Sequence, residues 1–240
     1  MKKYLNIILC FVLLLLLNSC ASQTSLIMSL SKFKKSILKI ETWASLSCDG
    51  EEMSCPEDRI MSTGTGAVVL HDNAKHVLTA AHICIQDKIP GMEINYYFKA
   101  IDQNSKQYII KIINYDTKSD VCLLRSVTGD LEPSFLPLSR KIPSYGEIIY
   151  NLAAPMGIIE EDMVPAFQGQ YFGMHDGDAY YSLPAIGGSS GSPIVNSKGE
   201  LIGMVHSVHY RFHHITLSAT YQRLWNFLNV EKVRIIQVQN

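Results

Sequence analysis

Neither sign of charge dominates this chain. Its 21 Lys and Arg residues face 22 Asp and Glu residues, for a formal net charge of −1. That balance excludes the basic footprint by which proteins neutralise nucleic-acid phosphates. No apolar run reaches the ~20 residues of a spanning helix; the stretch Ile7 to Leu17 is much shorter. No internal repeat is present, which excludes solenoids and propellers built from one repeated unit. No histidine spacing suits a metal either. His206, His209, His213 and His214 are clustered, but neighbours on a strand point to opposite faces, and a solvated loop is the expected outcome. The run Glu160-Glu161-Asp162 reads the same way, as a solvated face. No metal and no cofactor are expected. What remains is 240 residues, 47% of them hydrophobic, enough for one sizeable core or two small barrels packed together.

The first residues read as a processing segment. Lys2 and Lys3 form a basic start, Ile7 to Leu17 an apolar centre, and small and polar residues follow. The ending Leu17-Asn18-Ser19-Cys20 resembles a bacterial lipobox, in which the cysteine becomes the acylated N-terminus; an ordinary cleaved signal is the alternative. The expected organisation is a signal peptide over 1–19, a lipidated tether over 20–34 and one domain over 35–240. The chain is then exported and anchored to a membrane of the cell envelope through lipid on Cys20. Export makes disulfides possible. With Cys10 removed and Cys20 acylated, four cysteines remain. Cys48 and Cys55 bracket a polar loop that a bridge could close, and Cys122, inside an apolar run, is expected to be a free core thiol.

From residue 35 onward the signals are short apolar runs separated by turns. Runs at 36–42, 64–70, 76–81, 93–101, 107–114 and 121–125 form one set. After a break at 126–133 a second set occupies 135–138, 147–153, 166–174, 179–183, 194–196, 201–206 and 215–218. Many short strands with frequent turns indicate an all-β sandwich or barrel. Thr220 can cap a helix over 221–229, on which Leu224, Phe227 and Leu228 share a face.

Three segments carry chemistry: Leu78-Thr79-Ala80-Ala81-His82, Ser119-Asp120-Val121-Cys122-Leu123-Leu124 and Gly187-Gly188-Ser189-Ser190-Gly191-Ser192-Pro193. A serine hydroxyl needs a base within reach, and the base needs an anion to hold its tautomer. In the order His, Asp, Ser these segments resemble a trypsin-like serine protease of the chymotrypsin fold. The resemblance spans about 36–229. It implies two packed six-stranded antiparallel β-barrels, one over about 35–125 and one over about 134–218, with a short C-terminal helix at about 220–229. His82, Asp120 and Ser190 would form the triad in the cleft between barrels, and the Gly188 and Ser190 amides an oxyanion hole. The motif Gly64-Thr65-Gly66-Ala67-Val68-Val69 and the form around Ser190 look Deg/HtrA-like or glutamyl-endopeptidase-like.

The resemblance also fixes where this chain departs. Ser189 stands where zymogen-activated trypsins carry an aspartate, so activation by a newly cut N-terminus is not expected. The primary pocket would be lined by Pro184, Ala185, Val205, His206 and Ser207. Pro184 replaces the acidic residue six before the serine, which disfavours Arg or Lys preference and leaves a small or apolar one. His206 either lines the pocket or turns away from it, because a one-residue slip reverses a strand's faces. No added peptide-binding domain is expected after the protease. Expected partners are protein or peptide substrates and a membrane, not nucleic acid. A catalytically silent binding or assembly lipoprotein on the same fold is the competing reading.

Overall fold

In a computed structural model of the chain, the structure describes residues 30–46, 58–86, 94–161 and 163–229. The expected signal peptide, Cys20 and the Cys48–Cys55 loop lie outside the described residues.

Among the described residues, twelve strands form two closed barrels. Strands β1 (Ile37–Leu46), β2 (Arg59–His71), β3 (Ala74–Thr79), β4 (Ile94–Ile101), β5 (Gln107–Asp116) and β6 (Val121–Ser126) close in the order β1-β2-β3-β6-β5-β4. Strands β7 (Ile148–Leu152), β8 (Ala166–His175), β9 (Asp178–Tyr181), β10 (Pro193–Asn196), β11 (Leu201–His209) and β12 (Phe212–Ala219) close as β10-β11-β12-β9-β8-β7. Every pairing between named strands is antiparallel. Closure leaves no open sheet edge, which is how short strands form a stable core. The first barrel is packed by Ile37, Leu38, Ile40, Leu78, Ile110 and Leu124, all essentially inaccessible; the second by Ile149, Tyr181, Ile194 and Ile202.

The run 135–138 is not a strand. Pro133 and Pro137 have no N–H to give a ladder, and the segment makes only isolated parallel bridges, Val69 with Leu136 and Leu138 with Leu201. Those bridges join the two barrels. Leu136 N donates to Val68 O in β2 at 2.8 Å, and Leu201 N of β11 donates to Pro137 O at 2.8 Å. Lys75 holds the entry to this linker, its Nζ donating to the carbonyls of Leu131, Glu132 and Pro133.

Helices α1 (Ala81–Cys84) and α2 (Tyr221–Asn229) follow from local chemistry. The chain leaves β3 at Ala80 and makes one turn, α1, where the sequence suggested continued strand. Helix α2 begins at Thr220, whose hydroxyl accepts from Arg223 N at 3.4 Å. It buries Tyr221, Leu224 and Leu228, and Leu228 O accepts from His71 Nδ1 of the first barrel at 2.9 Å. Residues 30–34, expected to be tether, form a helical turn with Phe33 buried against Gly199. The last residues of that tether are therefore part of the packed fold.

Candidate active site

Asp120 and His82 meet because two strand ends of the first barrel are adjacent. Strand β3 pairs with β6 through Thr79 and Cys122, which sets Ala81 and His82 beside the turn before β6. Asp120 occupies that turn at φ +50°, a left-handed conformation that aspartate tolerates better than most residues. Three hydrogen bonds lock the pair. Ala81 N donates to Asp120 O at 3.1 Å, His82 N to Asp120 Oδ1 at 2.8 Å, and His82 Nδ1 to Asp120 Oδ2 at 2.6 Å. A proton on Nδ1 leaves the Nε2 lone pair free as a base. Burial pushes the Asp120 carboxyl up, but the hydrogen bonds from the His82 ring and amide outweigh it and hold it below the usual carboxylate range.

The expectation of a free Cys122 thiol is corrected. Cys84 and Cys122 form a disulfide with 6.6 Å between Cα atoms. Each lies two residues after a site residue, His82 or Asp120, so the bridge ties α1 to β6 directly behind the pair. Alternation of Cys122 with Val121 and Leu123 signalled burial, and burial alone does not distinguish a thiol from a bridge. The matched offset from His82 and Asp120 was the available signal.

Ser190 comes from the second barrel. The turn from Gly187 to Ser192 enters β10, and its backbone is fastened to the first barrel: Thr65 N of β2 donates to Ser190 O at 2.8 Å. Gly191, at φ +85°, sits so close to β2 and β3 that a Cβ would lie 2.1 Å from Thr65 O and 2.9 Å from Ala80 N. Only glycine allows that approach. Asn151 of β7 holds the far side, its Nδ2 donating to Ser192 Oγ at 2.8 Å and Pro193 O at 2.9 Å. A lone amide within the apolar run Tyr150 to Ala154 was the sequence signal for Asn151, and it was missed.

The turn bearing Ser190 therefore packs against Thr65, Thr79 and Ala80, just before His82, and among the described residues no hydrogen bond joins Ser190 Oγ to the His82 ring. Among the described residues, neither Gly188 N nor Ser190 N donates to any acceptor, while the neighbouring Ser189 N and Gly191 N are both used. Gly188 stands at φ +89°. Two unpaired amides beside a serine are suited to receive an oxyanion.

The expected pocket residues divide. Ala185 and Val205 are buried, Pro184 is half-buried and Ser207 is exposed. Val205 is fixed on both sides, with its amide donating to Ser192 O and its carbonyl accepting from Gly191 N. His206 is the extra residue of a β-bulge, since Val205 and Ser207 of β11 pair with the consecutive residues Ser218 and Leu217 of β12. Bulges re-aim side chains, and this one turns His206 Nε2 to within 3.4 Å of Asp178 Oδ1. His206 also stands near enough to Asp120 to contribute to lowering its pKa. A surface recess of about 290 Å³, lined in part by Lys34, Asp102 and Glu132, includes none of these residues. Among the described residues no cluster of His, Cys, Asp or Glu is placed to hold a metal ion, and no helix is long and apolar enough to cross a membrane.

Comparison with known proteins places this geometry. Residues 64–204 match the trypsin-like peptidase domain. The serine protease HTR4 of Rattus norvegicus is 28% identical over 152 residues, covering 60% of this chain but only 29% of the rat protein. Among solved structures, the serine endoprotease of Yersinia pestis superposes with a TM-score of 0.62 at 14% identity, over 84% of this chain and 64% of that one. The Rv3671c protease in its inactive form gives 0.60 at 17% identity, over 83% and 90%. At those identities the structural matches speak for the fold.

Proposed function

The chain belongs to the trypsin-like peptidase family, and from that premise we propose that it is a serine endopeptidase with His82, Asp120 and Ser190 as its triad. The observation that carries the proposal is the His82–Asp120 hydrogen bond of 2.6 Å, together with a serine turn that has two unpaired amides and is fastened to the same barrel through Thr65. Ser190 Oγ attacks the carbonyl carbon of a peptide bond while His82 Nε2 takes the hydroxyl proton. The carbonyl oxygen becomes an oxyanion held by Gly188 N–H and Ser190 N–H. The C–N bond then breaks, His82 returns the proton to the leaving amine, and an acyl group remains on Ser190. Water attacks that ester by the same route, giving the carboxylic acid and free Ser190. Asp120 stays ionised throughout and stabilises the imidazolium.

Substrates are proteins or peptides, and the buried Ala185 and Val205 favour a small or apolar side chain beside the cleaved bond. Lipid on Cys20 anchors the enzyme to a membrane of the cell envelope. Ser190→Ala should fold normally but hydrolyse denatured casein about 10⁴–10⁶-fold more slowly. Unchanged hydrolysis would remove Ser190 from the role. Cys20→Ser should release the chain from the membrane fraction without altering hydrolysis; a wild-type chain already soluble, with a mature N-terminus beyond Cys20, would overturn the anchor.

A further inference from the structure

Four successive peptide planes around Ser190 are each held by their carbonyl. Gly187 O accepts from Met156 N at 2.7 Å, Gly188 O from Thr65 Oγ1 at 2.7 Å, Ser189 O from Ser192 N at 3.0 Å, and Ser190 O from Thr65 N at 2.8 Å. A trans peptide is planar, so its N–H points opposite its C=O. Fixing the Gly187 carbonyl therefore aims the Gly188 N–H, and fixing the Ser189 carbonyl aims the Ser190 N–H. The plane between these two donors, from Gly188 to Ser189, sets the angle at which they converge. Its carbonyl is held by a side chain, the Thr65 hydroxyl, and its N–H, on Ser189, donates to Ile186 O at 2.9 Å.

That hydroxyl has a second partner. Ala154 N donates to Thr65 Oγ1 at 2.9 Å, and Ala154 leads into the turn Pro155–Gly157, whose Met156 amide holds the Gly187 carbonyl. A hydroxyl has one proton to donate and lone pairs to accept with, and Thr65 uses both. Its backbone is committed too, since its carbonyl accepts from Thr79 Oγ1 at 2.7 Å, three residues before His82. Thr65 is fully buried, so no water could replace a lost partner. One residue of the first barrel thereby joins the turn bearing Ser190, the segment bearing Met156 and the strand leading to His82.

We propose that Thr65 is a positioning residue for the oxyanion hole, its hydroxyl locking the Gly188–Ser189 plane so that the Gly188 and Ser190 amides converge on one point. This rests on the serine-peptidase reading above. Valine keeps the volume and branching of threonine but neither donates nor accepts, so Thr65→Val frees both the Gly188 carbonyl and the Ala154 amide. Only the Ser189 N–H bond to Ile186 O then holds the plane, the mutual angle of the two donors loosens, and the loss falls on the transition state, where the oxyanion exists, rather than on substrate binding.

The test compares wild type, Thr65→Val, Thr65→Cys and Thr65→Ser, with rates expressed per active site titrated by a fluorophosphonate. Thr65→Val should lower kcat by about 10–100-fold with KM changed less than about threefold. The inhibition constant of a peptide aldehyde, whose adduct carries an oxyanion, should rise by the same factor. Thr65→Ser should stay within about threefold of wild type, and Thr65→Cys, a weak donor, should fall between. A purely structural role would reduce the titrated fraction and leave kcat per site and the aldehyde constant unmoved, which would overturn the inference. Equal impairment of Thr65→Ser and Thr65→Val would overturn it as well. Should Thr65→Val fail to fold, Thr65→Cys decides, and wild-type kinetics there count against the hydroxyl. A wild-type chain that neither hydrolyses peptides nor reacts with the fluorophosphonate would instead remove the peptidase reading itself.

Discussion

The two halves of the site are built by different means. The His82–Asp120 half lies within the first barrel and is held by side-chain and covalent contacts: a 2.6 Å imidazole–carboxylate bond, a second carboxylate bond to the His82 amide, and the Cys84–Cys122 bridge behind them. The Ser190 half is a turn of the second barrel whose shape depends on backbone carbonyls and on glycines at φ +89° and +85°. The first half specifies residue types; the second specifies peptide orientations. Substitutions should therefore act differently in each, through charge and tautomer in one and through backbone geometry in the other.

The largest effect expected within the first half is that of Asp120→Asn. An amide can donate to the ring and favour the wrong tautomer, so kcat should fall about 10⁴-fold with little change in KM. The same variant tests the electrostatics. Because the Asp120 carboxyl is held below its usual value in the folded chain, it adds stability at pH values above the unfolded carboxylate pKa of about 4. That contribution disappears as pH falls through the folded value. Urea titrations at pH 6 and pH 3 should show wild type losing this increment and Asp120→Asn lacking it. An identical pH dependence in the two chains would contradict the assignment.

Within the second half, Gly188→Ala changes no ionisable group. Its Cβ would lie 2.6 Å from Met156 N and 2.8 Å from Ala154 O, at a φ that disfavours any side chain. Displacing the amide should cost about 10²–10³-fold in kcat, the scale of losing one oxyanion donor. The pH profile should keep the shape it has in wild type, since the substitution adds and removes no titrating group. A shifted profile in Gly188→Ala would mean that the two halves are not separable in this way.

The smallest effect on rate is expected from Cys84→Ala/Cys122→Ala. The bridge closes a separation of 38 residues, and its loss should destabilise the chain by about 3–4 kcal/mol, chiefly by releasing the unfolded chain. With three hydrogen bonds still joining residues 81 and 82 to Asp120, kcat should remain within a few-fold of wild type. Unchanged stability in denaturant would argue against the bridge, and a collapse of kcat in folded protein would give it a larger part in aligning the pair.

The same contrast explains what could be read from the sequence. Hydrophobic runs and turn residues located the twelve strands and the C-terminal helix, because local alternation reports which face is buried. His82, Asp120 and Ser190 stood out in the sequence because each lies in a short motif of small and apolar residues, and the structure pairs the first two. The run from Phe135 to Leu138 misled, since its apolar residues serve two barrels at once while Pro137 withholds a ladder donor. The disulfide and the burial of Phe33 on Gly199 are long-range pairings, which single-strand patterns do not encode. Thr65 was visible as part of Gly64-Thr65-Gly66, but its hydroxyl gains a task only once the barrels pack and bring Gly188 and Ala154 to it. Of the residues read as lining the pocket, Ala185 and Val205 are buried, whereas the bulge that turns His206 to Asp178 depends on the register between β11 and β12 and was not legible.

The central claim is that these two halves meet to activate one serine. Intact-mass and peptide-mapping analysis after exposure to a fluorophosphonate tests it most directly. One adduct per chain, on the peptide containing Ser190, lost in Ser190→Ala and greatly slowed in Asp120→Asn, is the predicted result. A folded wild-type chain that remains unlabelled, or that carries its adduct on another residue, would contradict the account.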